Sequence, residues 1–423
     1  MAEVCVIGLG YVGLPTASLL ANAGFQVLGV DADNSVVEGL RSGKTRLDEA
    51  GLATLVSAAF RSGNLTAAMQ PEPSDTFIIC VPTPVTADHH VELSMVEAAA
   101  KAIAAVVKPG NLIILESTSP IGTTRGTVGG VLKRAGFEPG RDVHLCYCPE
   151  RVLPGNTVAE LVNNDRIIGG FTPACAQHAQ DIYARFCQGK LSLTDDRTAE
   201  MCKLMENTYR DANIAVANVF ARIAEDAGVN VWEAIELSNL HPRVKILKPG
   251  PGVGGHCIPV DPWFLVEAYP QHTALLRASR ELNDGQAGRI LQRMQETGLL
   301  KSGDKLAILG AAYKADIDDP RESPAALLAH AAAAAKITVS VHDPLVRAGV
   351  HHGVAVSNNL EECLSGAAAA ALLTEHKYYR SLSSKVFAQH MSGKLICDTR
   401  NWLNRKSMTL AGFTVLLLGD GQA

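Results

Sequence analysis

The chain has 423 residues, which at about 100–200 residues per domain predicts two or three domains and excludes a small stapled module. Hydrophobic residues make up 47% and charged residues 19%, a composition that folds along nearly the whole chain instead of staying disordered. With 38 Lys+Arg against 43 Asp+Glu the net charge is −5, which leaves no basic footprint for nucleic acid or anionic lipid and makes small molecules the expected partners.

The opening Met-Ala-Glu-Val runs straight into strand-like sequence without a charged, cleavable leader, and the apolar runs 331–335 and 367–373 fall short of the about 20 residues that span a bilayer as a helix. A soluble, cytoplasmic protein is expected, with no membrane partner. Ten cysteines lie between Cys5 and Cys397 without a C-x-x-C pair, so neither a metal site nor a disulfide framework is expected.

Residues 4–7 read as a short buried strand, 12–23 as a helix and 27–30 as a second strand ending at Asp31, with Gly24 between helix and strand. Strand-like runs recur at 77–81, 112–115 and 143–146, with helical stretches 94–107 and 123–134 among them. That alternation predicts a doubly wound parallel sheet. From about Thr198 the pattern turns helical: 199–228 is a long stretch without Pro or internal Gly, and 231–240 and 273–297 follow. Strand-like runs return at 305–309, 338–342, 369–373 and 395–397, with an Ala-rich helix over 325–335. The predicted fold is α/β: two Rossmann-like doubly wound domains, 1–197 and 301–423, joined by an all-helical region over 198–300.

Gly8-Leu9-Gly10-Tyr11-Val12-Gly13 sits between the first strand and first helix, where glycines let the backbone approach a pyrophosphate at the helix N-terminus. Asp31 follows Gly13 by eighteen residues, close to the roughly 20 at which a carboxylate meets the adenine ribose. That carboxylate would repel a 2′-phosphate, and no Arg or Lys follows before Arg41, so NAD is expected over NADP.

Gly254-Gly255-His256-Cys257-Ile258-Pro259-Val260-Asp261-Pro262 is a glycine-rich approach to one cysteine, followed by a helix-start signal. The residues alone leave open whether Cys257 is a nucleophile or a small buried hydrophobe. Lys203 and Asn207, four apart on the long helix, either converge on one oxygen or form a solvated face. Glu116-Ser117-Thr118 and Pro149-Glu150-Arg151 end predicted strands at the edge where such sheets bind ligands, and Tyr313-Lys314 with 318–323 hold the corresponding place in the last domain. Loop caps would look the same.

Together these residues resemble the nucleotide-sugar 6-dehydrogenases, the family of UDP-glucose and GDP-mannose dehydrogenases, from Val4 to about Trp402. The matching segments are 8–15, Val81-Pro82-Thr83-Pro84, Glu116-Ser117-Thr118, Lys203 with Asn207, 254–261, and Tyr313-Lys314 with Arg321-Glu322-Ser323. The segments 148–155, 197–204, 249–257 and 260–264 are most similar to members that oxidise a 2-acetamido mannose sugar. The resemblance implies a four-electron oxidation of the C6 hydroxymethyl of a UDP-sugar to a uronate with two NAD in turn. UDP-N-acetyl-D-mannosamine is the expected substrate and UDP-N-acetylglucosamine the alternative. Cys257 would carry a thiohemiacetal and then a thioester.

Carried over position by position, Lys203 and Asn207 would stabilise the oxyanions, and Asp261 and Thr118 would position or activate water and the substrate hydroxyl. Gly8, Gly10, Tyr11, Val12, Gly13, Asp31, Thr83, Thr118 and Arg321 would hold the cofactor. Glu150, Arg151, Lys203, Asn207, Arg210, His256, Tyr313 and Lys314 would hold the sugar nucleotide, with Arg400 a further candidate. Arg243 matches an arginine that in the family reaches across a homodimer into the neighbour's site. One position departs from the UDP-glucose pattern: Pro154 stands where a second glutamate would be, leaving Asp261 or Glu150 as the thioester-hydrolysing base. A two-electron hydroxyacid dehydrogenase is the rival reading, and it has no task for Cys257. A non-catalytic nucleotide-sugar binder is a third.

Overall fold

The computed structural model describes residues 2–47, 49–86, 88–152 and 155–421. The chain forms two compact units, one up to Glu206 with Trp263–Ala268, the other Asn207–Pro262 with the chain from Tyr269 onward.

Among the described residues of the first unit, eight strands form one sheet: β1 (Ala2–Ile7), β2 (Val27–Val30), β3 (Leu65–Ala68), β4 (Ser74–Ile79), β5 (Leu112–Leu115), β6 (His144–Tyr147), β7 (Arg166–Gly170) and β8 (Leu191–Asp195). Their order is β3-β2-β1-β4-β5-β6-β7-β8, parallel except where β7 meets β6. The strand order reverses between β1 and β4, the crevice at which such sheets take ligands. β1 is buried on both faces: Val4 and Val6 join a core with Leu14, Leu20 and Ile114, while Cys5 and Ile7 join another with Phe77, Ile103 and Leu145. This explains the unbroken apolar run at 4–7, each such side chain contributing about 1.5–3 kcal/mol by burial.

The helical stretch begins with the 32-residue helix Asp196–Ala227. Its first turn is fixed within the first unit by Glu200, whose carboxylate accepts from the Thr124 backbone N–H at 2.8 Å and the Thr124 hydroxyl at 2.7 Å. Farther along, Asp211 pairs with the fully buried Arg280 at 2.5 Å. The expected helix over 273–297 is two helices, Ala274–Asp284 and Gln286–Glu296, separated at Gly285. The polar residues flanking the break explain it: Asn283 and Gln286 both bond Asn218 of the long helix, at 3.2 and 3.5 Å, and turn inward where a continuous amphipathic face would need apolar groups.

Seven strands form the second sheet among the described residues: β9 (Lys305–Leu309), β10 (Thr338–His342), β11 (Gly349–His351), β12 (Val354–Ser357), β13 (Ala369–Leu372), β14 (Leu395–Asp398) and β15 (Thr414–Leu417). The order is β11-β12-β10-β9-β13-β14-β15, parallel except for the β11–β12 pair. Leu306 and Ile308 face one core, Ala307 and Leu309 the other. Two parallel-sheet α/β layers with helices between them in the chain are thus the architecture that the alternating pattern implies. The strands β3, β7, β8, β11, β12 and β15 lie beyond the expected set; they are short, and several carry polar or Gly residues that blur the period. No helix among the described residues is long and apolar enough to cross a membrane.

Candidate active site

In the first unit the candidate residues gather at the carboxyl ends of β1, β2, β4, β5 and β6. Gly8 takes φ +93° and a Cβ there would meet the Cys80 carbonyl oxygen at 2.6 Å, while a Cβ on Gly13 would fall 1.8 Å from the Gly8 carbonyl oxygen. The turn closes only with glycine at both positions. Gly10, by contrast, has open space where its Cβ would be, as a loop that admits a pyrophosphate to its backbone requires. Asp31 ends β2 and accepts from the Leu9 N–H at 2.9 Å through one oxygen and from the Asp33 N–H at 2.9 Å through the other. Tyr11 and Val12 continue this turn into the helix Gly13–Asn22, so the residues present fit a dinucleotide.

Beside that turn, the Ser117 hydroxyl donates to the Val81 carbonyl at 2.7 Å, and the Thr83 hydroxyl donates to the Thr118 carbonyl at 2.6 Å. The loops after β4 and β5 are thereby one surface. Glu116 itself is withdrawn beneath it: the Tyr183 hydroxyl donates to Glu116 at 2.5 Å and the buried Arg166 lies 3.5 Å away. After β6, Glu150 is brought to the long helix, where the Lys203 amino group donates to the Glu150 carbonyl at 2.6 Å and Arg151 pairs with Glu206 at 2.7 Å. The Glu150 Oε1 atom is buried without a hydrogen-bond partner. Burial raises its carboxyl above the usual range, and the charges of Lys203 and Arg166 only partly offset this. Glu206 was missed in the sequence; its signal is the three-residue step from Lys203. Pro154 lies outside the described residues.

In the second unit the Cys257 carbonyl accepts from the N–H groups of Val260 and Asp261, at 3.0 and 2.8 Å. The helix Asp261–Ala268 starts at this turn. Cys257 Sγ lies 3.8 Å from His256 Nδ1. Asp261 is buried and accepts from Asn207 Nδ2 at 2.5 Å. Seven of the ten cysteines are buried, and Cys257 is one of three that are partly exposed. Of the other two, Cys80 is held far above the usual thiol range by burial, with Glu116 adding to the shift. The buried Cys5 and Cys397 thiols are likewise pushed up to about 12. Thiols so raised are poor nucleophiles at neutral pH.

The glycines before Cys257 are explained by the loop after β9. A Cβ on Gly254 would fall 2.5 Å from the Glu322 carbonyl oxygen, and one on Gly255 would fall 2.8 Å from the Tyr313 ring. The Gly255 N–H donates to the Arg321 carbonyl at 3.0 Å. Arg321 is in turn held by Asp319, with Nε–O distances of 2.9 and 3.0 Å. Burial raises the Asp319 carboxyl, but the Arg321 hydrogen bonds outweigh it and leave it below the usual range. Asp319 lies in the candidate segment 318–323, and its part as the anchor of Arg321 emerges only from the fold. Arg400 donates to the Leu373 carbonyl at 2.9 Å and pairs with Glu375 at 3.0 Å, with its Nη1 against Gly250. Lys314 is half-buried on the same loop as Tyr313, whereas Arg210 and Arg243 are exposed.

Comparison with known proteins follows this division of the site. Residues 2–187 match the NAD binding domain of the UDP-glucose/GDP-mannose dehydrogenase family, 197–285 its central domain and 307–405 its UDP binding domain. The chain is 45% identical to a UDP-N-acetyl-D-mannosamine dehydrogenase of Methanocaldococcus jannaschii, over 99% of this chain and 97% of the relative. It is 43% identical to an NDP-N-acetyl-D-galactosaminuronic acid dehydrogenase of Ralstonia solanacearum, over 96% of this chain and 97% of the relative. Among solved structures, the UDP-D-ManNAc dehydrogenase of Pyrococcus horikoshii superposes with a TM-score of 0.92 at 38% identity, covering 99% of this chain and 100% of the other. With all three family domains present in order along one chain, this protein belongs to the UDP-glucose/GDP-mannose dehydrogenase family.

Proposed function

We propose that this protein oxidises C6 of UDP-N-acetyl-D-mannosamine to the carboxylate, working as a cytoplasmic homodimer of three-domain chains divided at 1–197, 198–300 and 301–423. Bound NAD supplies the hydride acceptor, once for each of the two oxidations. Gly8, Gly10, Tyr11, Val12, Gly13, Asp31, Thr83, Thr118 and Arg321 hold that cofactor. Tyr313, Lys314, Arg151, Arg210, His256 and Arg400 hold the nucleotide sugar, and Arg243 serves the neighbouring subunit's site.

The chemistry at C6 falls to six side chains. Thr118 and Asp261 position the substrate hydroxyl and the attacking water. Once the alcohol has become an aldehyde, the Cys257 thiolate adds to its carbon, and the adduct still bears the C–H that the second oxidation removes. Lys203 and Asn207 stabilise the oxyanion of each tetrahedral species, an effect worth about 3 kcal/mol per donor in other enzymes. Water then cleaves the thioester, restoring the thiol and releasing the carboxylate, with Glu150 or Asp261 accepting the proton. Glu150 suits this task because its carboxyl sits above the usual range, nearer neutral pH.

The observation that carries the reading is the Asn207–Asp261 hydrogen bond of 2.5 Å, which joins the helix turn after Lys203 to the turn after Cys257. The galactosamine-type relative supports a second reading, a 2-acetamido sugar of another configuration. The test is a comparison of UDP-N-acetylmannosamine, UDP-N-acetylglucosamine, UDP-N-acetylgalactosamine and UDP-glucose with NAD. The highest kcat/KM is expected for the first, with two NADH per sugar, and with Cys257→Ser binding both ligands but releasing no uronate. A single NADH per sugar, or near wild-type turnover by the serine variant, rules the mechanism out.

A further inference from the structure

The segment 311–319, which carries Tyr313 and Lys314, leaves the end of β9 and is fastened from below by a buried polar relay. Asp343, at the end of β10, is fully buried. Its Oδ2 accepts from the N–H groups of Ala311 at 2.8 Å and Ala312 at 2.9 Å, and its Oδ1 accepts from Leu345 and Val346, both at 2.9 Å. His376 Nε2 lies 3.1 Å from the same Oδ2. Burial raises the Asp343 carboxyl, but the His376 hydrogen bond and the backbone donors outweigh it and hold it at about 2. An ionised carboxylate only accepts, so Nε2 carries the imidazole proton. Nδ1 is then an acceptor, and the Asp316 N–H donates to it at 3.0 Å.

One imidazole therefore connects both sides of Tyr313 and Lys314: residues 311–312 through Asp343, and residue 316 directly. The arrangement is rigid. His376 is fully buried, its carbonyl accepts from Trp402 Nε1 at 2.9 Å, and the neighbouring Thr374 hydroxyl donates to the Ala312 carbonyl at 2.6 Å. Asp316 has φ +60°, a left-handed conformation that costs energy in a residue other than Gly and persists where its surroundings impose it.

We propose that His376 is a positioning residue for nucleotide-sugar binding, holding the Tyr313–Lys314 segment in its binding conformation through Asp343 and the Asp316 backbone. This rests on the reading above that Tyr313 and Lys314 hold the UDP-sugar. The relay fastens residues 311–316, whereas Arg321, the cofactor contact proposed above, has its own anchor in Asp319, so the effect is expected on the sugar nucleotide and not on NAD.

The test compares full-length wild type with His376→Phe, which keeps a ring but removes both nitrogens, and His376→Gln, whose amide oxygen and nitrogen are spaced like the two ring nitrogens. Two quantities are read: amide hydrogen exchange over 313–317 in substrate-free protein, and the KM for each substrate. The phenylalanine variant should exchange faster over 313–317 and show about a tenfold higher KM for the UDP-sugar, the scale of one lost buried hydrogen bond. Its KM for NAD should stay within twofold, and the glutamine variant should recover both properties. Should the phenylalanine variant fail to fold, His376→Asn, too short to reach both partners, carries the same expectations. Unchanged exchange, or KM values that rise together for both substrates, overturns the proposal. Lys314→Ala separates the two layers. If it raises the sugar KM while the His376 variants do not, the relay is refuted and the binding role of the segment stands. If it leaves that KM unmoved, the binding role fails and takes the proposed affinity effect with it.

Discussion

Asn207 Nδ2 donates to the Asp261 carboxylate at 2.5 Å, so a residue in the middle of the long helix is bonded to the first residue of the helix that follows Cys257. The amide is thereby oriented before any substrate arrives. An oriented donor stabilises a developing oxyanion without reorganising, and removing one such donor elsewhere costs about 10²–10³ in kcat. Asn207→Ala is therefore expected to lower kcat about 10²-fold with the UDP-sugar Kd changed only a few-fold. Asn207→Asp should be worse, because it sets a like charge against Asp261. Stopped-flow NADH formation with equilibrium binding decides it, and full kcat in the alanine variant removes Asn207 from the chemistry.

Asp31 is held by two backbone donors at 2.9 Å, Leu9 N–H and Asp33 N–H, which fixes its carboxylate next to the glycine-rich turn. A ribose diol can donate to such a group, while a 2′-phosphate meets like charge. The wild-type kcat/KM should favour NAD strongly over NADP, and Asp31→Ala should narrow the ratio by about tenfold or more. That is the scale of one charge-assisted hydrogen bond, about 1.5–3 kcal/mol. Equal use of the two cofactors by the unaltered protein counts against the role of Asp31.

Glu150 predicts a pH effect with a defined sign. Burial raises its folded-state pKa, while Lys203 and Arg166 pull it down by less. Its contribution to stability is therefore fully present below the unfolded-state value and lost as pH rises through the raised folded value. As a base it works only when ionised, so activity should climb with pH over that same range, above the ordinary carboxylate region. Glu150→Gln should remove this limb from the kcat profile. Lys203→Met should slow turnover and also move the limb to higher pH, since it deletes a charge that lowers the Glu150 pKa. A limb that stays in place in both variants assigns the base elsewhere, with Asp261 next in line.

Arg243 is exposed in a single chain, and a role at the neighbouring subunit's site gives a complementation test. Arg243→Ala and Cys257→Ser should each be nearly inactive. A mixed dimer contains one site with both an intact Cys257 and an arginine from the other subunit, so co-refolding should restore NADH formation. Heterodimers confirmed by mass but without recovered activity would mean that Arg243 acts within its own subunit or not at all.

Local pattern determined most of the framework. The apolar run before Gly8 read as a short buried strand, and the glycine spacing with Asp31 eighteen residues after Gly13 pointed to a β-turn-α-β unit, because sterics at Gly8 and Gly13 act over a few residues. The long helix was legible over 199–228 from its period and its lack of Pro and internal Gly, and it runs Asp196–Ala227. The break at Gly285 was not, since it depends on Asn218, some sixty-five residues away from Asn283. Likewise the glycine-rich run leading to Cys257 stood out along the chain, but only folding supplied its reason: the ring of Tyr313 and the carbonyl of Glu322 lie where side chains would be. The withdrawal of Glu116 under Tyr183 and Arg166, the bond from Lys203 to the Glu150 carbonyl, and the relay from Asp343 through His376 to Asp316 were also decided by tertiary structure. Side-chain period and turn chemistry reach only a few residues along the chain. Hydrogen bonds between residues far apart along the chain exist only once the strands and helices within each unit have set their own loops side by side.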